Sequence, residues 1–415
     1  MHVFTSITAN YLPKARVLAA SLKRLHPRAV FHLVLADRKP DDFGGSAGPF
    51  DAVLTADDLP IPERPAWIFK HSVVELCTAV KGLAAVEIRR RCGTGPLFYL
   101  DPDIAVLGPL DGLEALLGRH SILLTPHLTT PEEDLEAIRQ NEICALQHGV
   151  YNLGFVGVRA DDEGGRFLEW WAHRLLHFCY DDVPGGLFTD QRWADLVPAF
   201  FPGAGIVREP QYNVAPWNVS RRRAEGVAPY DILIDGKPLG FFHFSGLDSG
   251  ANEEMLKRYG ADSPVLFKLR EWYLAECERM GQSREGKRPC AYGFYEDGTP
   301  VPRAHRLLYR ARPDLQARFP NPYATSDARR SFLRWVGANA GELDAVTAAD
   351  RRVRALEAEL TAIRSSRTWR TARALGGPGR AFGLLRRGLR VCREQGVAAA
   401  LDKLMHRLSG RNRAA

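Results

Sequence analysis

Apolar and polar positions in the first third of the chain switch between a strand period and a helix period. Val3–Ile7 reads as a strand, and a loop follows through Thr8-Ala9-Asn10-Tyr11. Pro13 then stands where a helix could begin, and Leu18, Leu22 and Leu25 share one helical face. Val30–Ala36 (VFHLVLA) is a continuous apolar run of strand length that ends at Asp37. Strand, helix and strand in this order predict a βαβ unit, and so a parallel sheet covered on both faces. Further strands are expected at Ala52–Thr55, Pro96–Leu100, Ser121–Thr125 and Tyr151–Val158, with helices over Ser72–Arg91 and Phe167–Phe178.

The pattern changes near Leu343. Val346, Ala349, Val353, Leu356, Leu360 and Ile363 follow heptad spacing, over fewer than three full heptads. Both a homodimer through residues 343–364 and a helix docked on its own domain fit that run. Gly376-Gly377-Pro378-Gly379 interrupts it, and a basic amphipathic stretch with Phe382, Leu385, Leu389, Val397, Leu401, Leu404 and Leu408 comes next. From Arg364 to the end there are 13 Lys+Arg against 2 Asp+Glu, which leaves 43 basic and 47 acidic groups before it. The net charge of +7 therefore belongs to the tail. Nucleic-acid binding by the body has little electrostatic support. The tail suits an anionic membrane surface, its basic groups meeting lipid phosphates while apolar side chains insert shallowly. A solvated helix pair is the competing reading.

The other bulk properties narrow the class. No apolar stretch reaches the ~20 residues that span a bilayer, and Met1-His2-Val3-Phe4 runs into a strand without a signal-peptide pattern. A cytoplasmic protein, at most peripheral on the inner face of the membrane, is expected. The seven cysteines are scattered and form no C-x-x-C pair, which argues against a disulfide framework or a structural zinc site.

Ligands of open α/β sheets bind beyond the carboxyl ends of the strands. Asn10, Tyr11, Asp37 and the pair Asp101 and Asp103 all fall at such ends. Asp101-Pro102-Asp103 follows PLFYL, and residues i and i+2 of an extended chain share a side, so both carboxylates can face one cation. Hard divalent cations prefer such oxygens and bridge to diphosphate. A solvated turn is the alternative.

FYLDPDIAVL, VYNLGFVGV, TDQRWADL and HFSG, in that order, resemble a GT-A-type glycosyltransferase. The similarity is to bacterial family 8-like enzymes that carry D-x-D, N-x-G, D-Q and a late H-F-x-G, and it covers roughly residues 1–250. It implies an α/β, Rossmann-like, mixed but mostly parallel sheet flanked by helices, with a catalytic domain over 1–255. A helical or irregular extension over 256–340 and a helical basic tail over 341–415 would follow. It also implies Mn²⁺ (or Mg²⁺) held by Asp101, Asp103 and His243, with Gly246 letting backbone approach a phosphate. The K-P-W that often follows the last motif is absent, and Lys257 or Arg258 could supply the missing cation.

By the same resemblance the donor site would take Thr5, Asn10, Tyr11, Asp37, Lys81, Asp101, Asn152 and Gly154, with Asn152 and Gly154 on the transferred sugar. Asp190 and Gln191 would line the reaction centre, and a retaining outcome follows from that match. Asp190 could equally be a helix N-cap. Trp217 and Asn218 of YNVAPWN are acceptor-site candidates, a structural loop being the other reading. The expected partners are a nucleotide-sugar donor, a UDP-sugar foremost, and a glycan or lipid-linked acceptor in bacterial surface polysaccharide synthesis. Two rivals stand beside this reading: a sugar-phosphate nucleotidyltransferase, whose Gly-rich basic loop is missing from TSITANYLP, and a non-catalytic scaffold.

Overall fold

The chain starts with β1 (His2–Ile7), α1 (Leu12–Leu25) and β2 (Val30–Leu35), then β3 (Ala52–Thr55). Two helices follow, α2 (Arg64–Phe69) and α3 (Val73–Cys92), and then β4 (Leu97–Leu100) and β5 (Ile104–Val106). β6 (Ile122–Pro126) and β7 (Tyr151–Val158) complete the part that carries the site. This computed structural model describes residues 1–43, 48–327 and 329–344. The heptad-spaced run from Val346 and the basic tail lie outside the described residues. So does nearly all of the proposed dimer segment 343–364.

Among the described residues the main sheet has seven strands, in the order Ala204–Ile206, β6, β7, β4, β1, β2, β3. β1 to β4 run parallel, and β6 runs parallel with Ala204–Ile206. β7 is antiparallel to both of its neighbours, β4 and β6. Its direction matters for the site, because its first residues emerge where β4 ends, with Phe155 opposite Leu100. β5 leaves the main sheet and pairs antiparallel with Phe241–His243, which sets His243 opposite Ile104.

Local chemistry explains these boundaries. Ser72 caps α3 in a reciprocal box: its Oγ accepts the Glu75 amide at 3.3 Å, and Glu75 Oε2 accepts the Ser72 amide at 2.6 Å. Pro13 lies in the first turn of α1. Gly82 lets helix Asp162–Phe178 close on α3, since a Cβ there would lie 2.5 Å from Ala172 Cα. That approach sets the depth of the next-door Lys81.

Residues 1–338 form one compact unit. Its later segments are held to the sheet domain by polar clamps and aromatic packing. Arg306 donates to the carbonyls of Phe69 and His71, and Arg310 pairs with Glu75 at 2.7 Å. The Phe69 ring is surrounded by Tyr295, Tyr309, Tyr323 and Phe332. Tyr273 stacks on Phe244 at 3.8 Å, fixing the strand that carries His243. No helix among the described residues is long and apolar enough to cross a membrane.

Candidate active site

Asp101 and Asp103 stand at the carboxyl edge of β4. The Asp101 amide donates to Gly154 O on β7, and Asp103 O accepts the Phe244 amide next to His243. These backbone ties draw three side chains together. His243 Nε2 lies 3.1 Å from Asp103 Oδ1 and 3.7 Å from Asp101 Oδ2. The three ligand atoms all fall within 4.8 Å of one another, so the group can hold a metal ion. Burial disfavours charge on both partners, yet the Asp103 carboxylate holds the His243 imidazole above its usual pKa, and His243 holds Asp103 below the carboxylate range.

Gly154 has a steric reason to be glycine: a Cβ there would lie 2.6 Å from His243 Cε1 and 2.8 Å from Nδ1. The imidazole rests on bare backbone. Trp217 meets the same ring edge-on at 5.3 Å. His243 Nδ1, Trp217 Nε1 and Asn213 Oδ1 are buried without hydrogen-bond partners. Orphaned polar atoms of this kind are costly unless something else satisfies them, so the residues present fit a ligand-bearing site.

Beside this group runs a second set of charges. Lys81 Nζ is 3.0 Å from Asp190 Oδ2 and 3.5 Å from Asp101 Oδ1, and it also donates to Leu153 O. Burial works against its ammonium, but Asp101 and Asp190 together hold its pKa well above the lysine range. Asp190 occupies the N-cap position of helix Gln191–Ala194 without a side-chain capping bond. Its carboxylate turns to Lys81 instead, and the preceding Thr189 holds a left-handed φ of +44°. Strained backbone of this sort collects at functional sites.

A polar wall continues from there. Asn152 Nδ2 donates to Gln191 Oε1 at 3.3 Å, and Asn152 Oδ1 accepts from the Gly154 amide and from Asn213. At the end of β1, the Tyr11 hydroxyl donates to Asp248 Oδ2 at 2.7 Å, while Asn10 accepts a bond from Thr8. Gly246 sits in the turn after His243, its carbonyl accepting the Asn252 amide.

The structure thus gathers Asp101, Asp103, His243, Lys81, Asp190, Gln191, Asn152, Gly154 and Trp217, with Gly246 in the turn after His243 and Tyr11 and Asn10 at the adjoining strand end. It does not gather the rest. Thr5 is fully buried inside β1. Asp37 is 2% exposed, and its oxygens accept the amides of Ala9, Arg38 and Ala291, so it stitches loops together. Asn218 is also 2% exposed; it accepts the Ala215 amide and donates to the carbonyls of His127 and Asn213. Lys257 pairs with Glu253 and Arg258 binds Gln140, both on an exposed helix surface.

The cation near Gly246 is one the sequence reading missed. Lys14 is 2% exposed, 2.6 Å from Asp248 and 4.0 Å from the Tyr11 ring centroid. Its signal was a lysine in the first turn of a helix, where the dipole disfavours positive charge unless a partner is near. Tyr99 was missed too. Its hydroxyl donates to Asp101 Oδ1 at 2.5 Å, and its ring lies under Lys81. It stands two residues before Asp101 on the same side of the strand.

In fold the chain is similar to solved glycosyltransferases. One is the galactosyltransferase LgtC, solved with donor and acceptor sugar analogues, at 16% identity over 63% of this chain and 96% of that chain, TM-score 0.35. GlyE of Streptococcus pneumoniae TIGR4 shares 15% identity over 71% of this chain and 66% of its own, TM-score 0.38. Mouse xyloside xylosyltransferase 1 shares 15% over 59% and 97%, TM-score 0.34. Among curated proteins, the uncharacterized protein YfnF of Bacillus subtilis (strain 168) is 31% identical over 153 residues, 36% of this chain. That match spans 44% of YfnF, less than half of its length. No protein-family model matches. Likenesses this distant assign no chemistry, and the activity has to be argued from the site.

Proposed function

We propose that the chain is a glycosyltransferase moving a sugar from a nucleoside-diphosphate donor to a glycan or lipid-linked acceptor. The observation that carries this reading is the convergence of Asp101, Asp103 and His243 at the carboxyl edge of a parallel sheet, on one side of the buried Lys81–Asp190 pair. Two carboxylates and one imidazole form a mixed oxygen and nitrogen donor set suited to Mn²⁺. A cation bound there would supply Lewis-acid stabilisation of the departing diphosphate.

The protein's own groups divide the remaining work. Tyr11 and Asn10 offer an aromatic face and an amide for the base at the end of β1. Lys14 places positive charge beside the turn at Gly246, where phosphate oxygens would lie. Asn152 and Gln191 present amides to the hydroxyls of the transferred sugar, and Trp217 gives an apolar face for a sugar ring. Asp190 is buried and held by Lys81, where its carboxylate can face positive charge developing at the anomeric carbon. Retention is the outcome this favours. The basic tail would hold the enzyme at an anionic membrane surface, consistent with surface polysaccharide synthesis on the cytoplasmic side.

The test is donor cleavage. The full chain is incubated with UDP-, GDP- and dTDP-sugars and Mn²⁺, and release of nucleoside diphosphate is measured, with the anomer of the released sugar followed by NMR. UDP-sugar turnover that needs Mn²⁺ and is lost in Asp103→Ala is expected. Pyrophosphate release from a nucleoside triphosphate and a sugar phosphate would instead establish the nucleotidyltransferase.

A further inference from the structure

A second cluster of metal-ligating side chains lies at the opposite edge of the sheet. His2 Nδ1 is 3.2 Å from His32 Nε2, and Cys92 Sγ is 3.9 Å from the same nitrogen. The three ligand atoms fall within 4.8 Å of one another. The fold produces this meeting from three distant segments. In the β1–β2 register His2 pairs with Val30 and Phe4 with His32, so both histidines project from one face. α3 covers that face with its chain direction reversed: Cys77 O accepts Ser6 Oγ near the end of β1, and Cys92 arrives where β1 begins. Arg89 fixes the turn after Cys92 by donating to the carbonyls of Gly93 and Gly95.

We propose that His2, His32 and Cys92 form a second metal site, which binds one thiolate-preferring divalent cation of the Zn²⁺ class. Tetrahedral bonds of about 2.0 Å to nitrogen and about 2.3 Å to sulfur put ligand atoms about 3.3 and about 3.5 Å apart, which the histidine pair already meets at 3.2 Å and which the thiol, 3.9 Å from His32, reaches by a small inward shift. Thiolate with imidazole is a soft donor set, unlike the carboxylate-rich group at the other edge. His32 is buried while His2 and Cys92 are half-buried, so the fourth position is open to water. Binding releases the Cys92 proton to solvent. The cation then ties the starts of β1 and β2 to the end of α3, a structural role separate from turnover.

Cobalt reports on thiolate ligation directly. The chelator-treated full chain is titrated with Co²⁺ alone. The expected result is a thiolate-to-cobalt charge-transfer absorption that saturates at about one equivalent, as in a mononuclear thiolate site. Zn²⁺ should bleach it. Cys92→Ser should abolish the band, His2→Ala should weaken binding by about tenfold or more, and Asp103→Ala should keep the band, because the Asp101–Asp103–His243 group has no sulfur. Circular dichroism checks the fold of each variant; if Cys92→Ser does not fold, His2→Ala decides. Absence of the band in the wild-type chain overturns the proposal. So does a band that survives Cys92→Ser and disappears in Cys144→Ser, whose sulfur lies 3.4 Å from His148 Nδ1.

Discussion

The two edges of the sheet carry two clusters of opposite character, and one helix serves both. Midway along its length α3 delivers Lys81 to the carboxyl edge, between Asp101 and Asp190; its last residue, Cys92, meets His2 and His32 at the amino edge. The eleven residue steps from Lys81 to Cys92 rise about 16 Å along the helix. At the carboxyl edge the donors are oxygens and one imidazole, set on strand ends and turns. At the amino edge they are two imidazoles and a thiol, rooted in strands and the last turn of a helix. The first arrangement suits a hard cation and a diphosphate, the second a soft cation that stays in place. The catalysis proposed for one edge and the cross-linking proposed for the other call for different chemistry in the same sheet, and separate substitutions should tell them apart.

The largest separation is expected from Asp103→Ala. Loss of one carboxylate from the carboxyl-edge group should lower Mn²⁺-dependent donor cleavage by roughly 10³-fold, the scale seen when a group that stabilises developing negative charge is removed. Cys92→Ser should leave that rate within about twofold of wild type, as a surface-side change remote from the chemistry does. Comparable losses in both variants would mean the two edges are not independent.

Next in size is Lys81→Met. Lys81 neutralises a buried Asp190 and flanks Asp101, so its removal leaves carboxylate charge in a poorly solvated place. A cost of about 3 kcal/mol is expected in urea unfolding, the lower end of what breaking a buried pair costs. Adding Asp190→Asn should restore part of the stability and none of the activity. A double variant no more stable than Lys81→Met would show that the pair is not coupled.

Much of the sheet was legible because its strands are short, mostly apolar runs, and β3 and β7 fall where those runs predicted. What periodicity does not encode is direction and facing. Nothing in YNLGFVGV says that β7 runs antiparallel, yet that is what carries Asn152 to the carboxyl edge. Thr5 and Asp37 lie on or just after strands, as a donor site would require, but both face inward, and whether a strand-end carboxylate meets a ligand or three loop amides is settled by packing. Asp101 and Asp103 were visible because two residues apart is a local relation. His2, His32 and Cys92 carry no local motif. Their proximity depends on strand register and on the reversed course of α3, so scattered cysteines suggested no metal site.

A third prediction concerns how firmly α3 is seated, since both clusters depend on it. Glu75, in its first turn, is buried; it accepts the Ser72 and Asp181 amides and pairs with Arg310. Burial alone would raise its pKa, but Arg310 and those amides hold the carboxyl below the ordinary 4.5. A depressed folded-state pKa means a stabilising contribution that is present above 4.5 and lost as pH falls through the folded value. Glu75→Gln should cost about 2 kcal/mol near neutral pH, as for a charged hydrogen bond. The gap between the variant and wild type should close as pH drops below 4.5. A gap independent of pH would mean that the charge is not what seats the helix.

The smallest expected effect probes the carboxyl-edge group most finely. Gly154→Ala adds one methyl group, 2.6 Å from His243 Cε1. The ring has little space to retreat, because Trp217 meets it on another side at 5.3 Å. β7 cannot easily yield either, since Gly154 O accepts the Asp101 amide, and a shift there would carry the first carboxylate with it. The misfit should therefore appear as a displaced imidazole or aspartate more than as a loss of fold. Mn²⁺ affinity, measured by calorimetry, should fall by about tenfold, near 1.4 kcal/mol, with the unfolding midpoint little changed. The thiolate-to-cobalt band at the amino edge should not move. Unaltered Mn²⁺ affinity would show that bare backbone under His243 is not what holds the ring against Asp101 and Asp103.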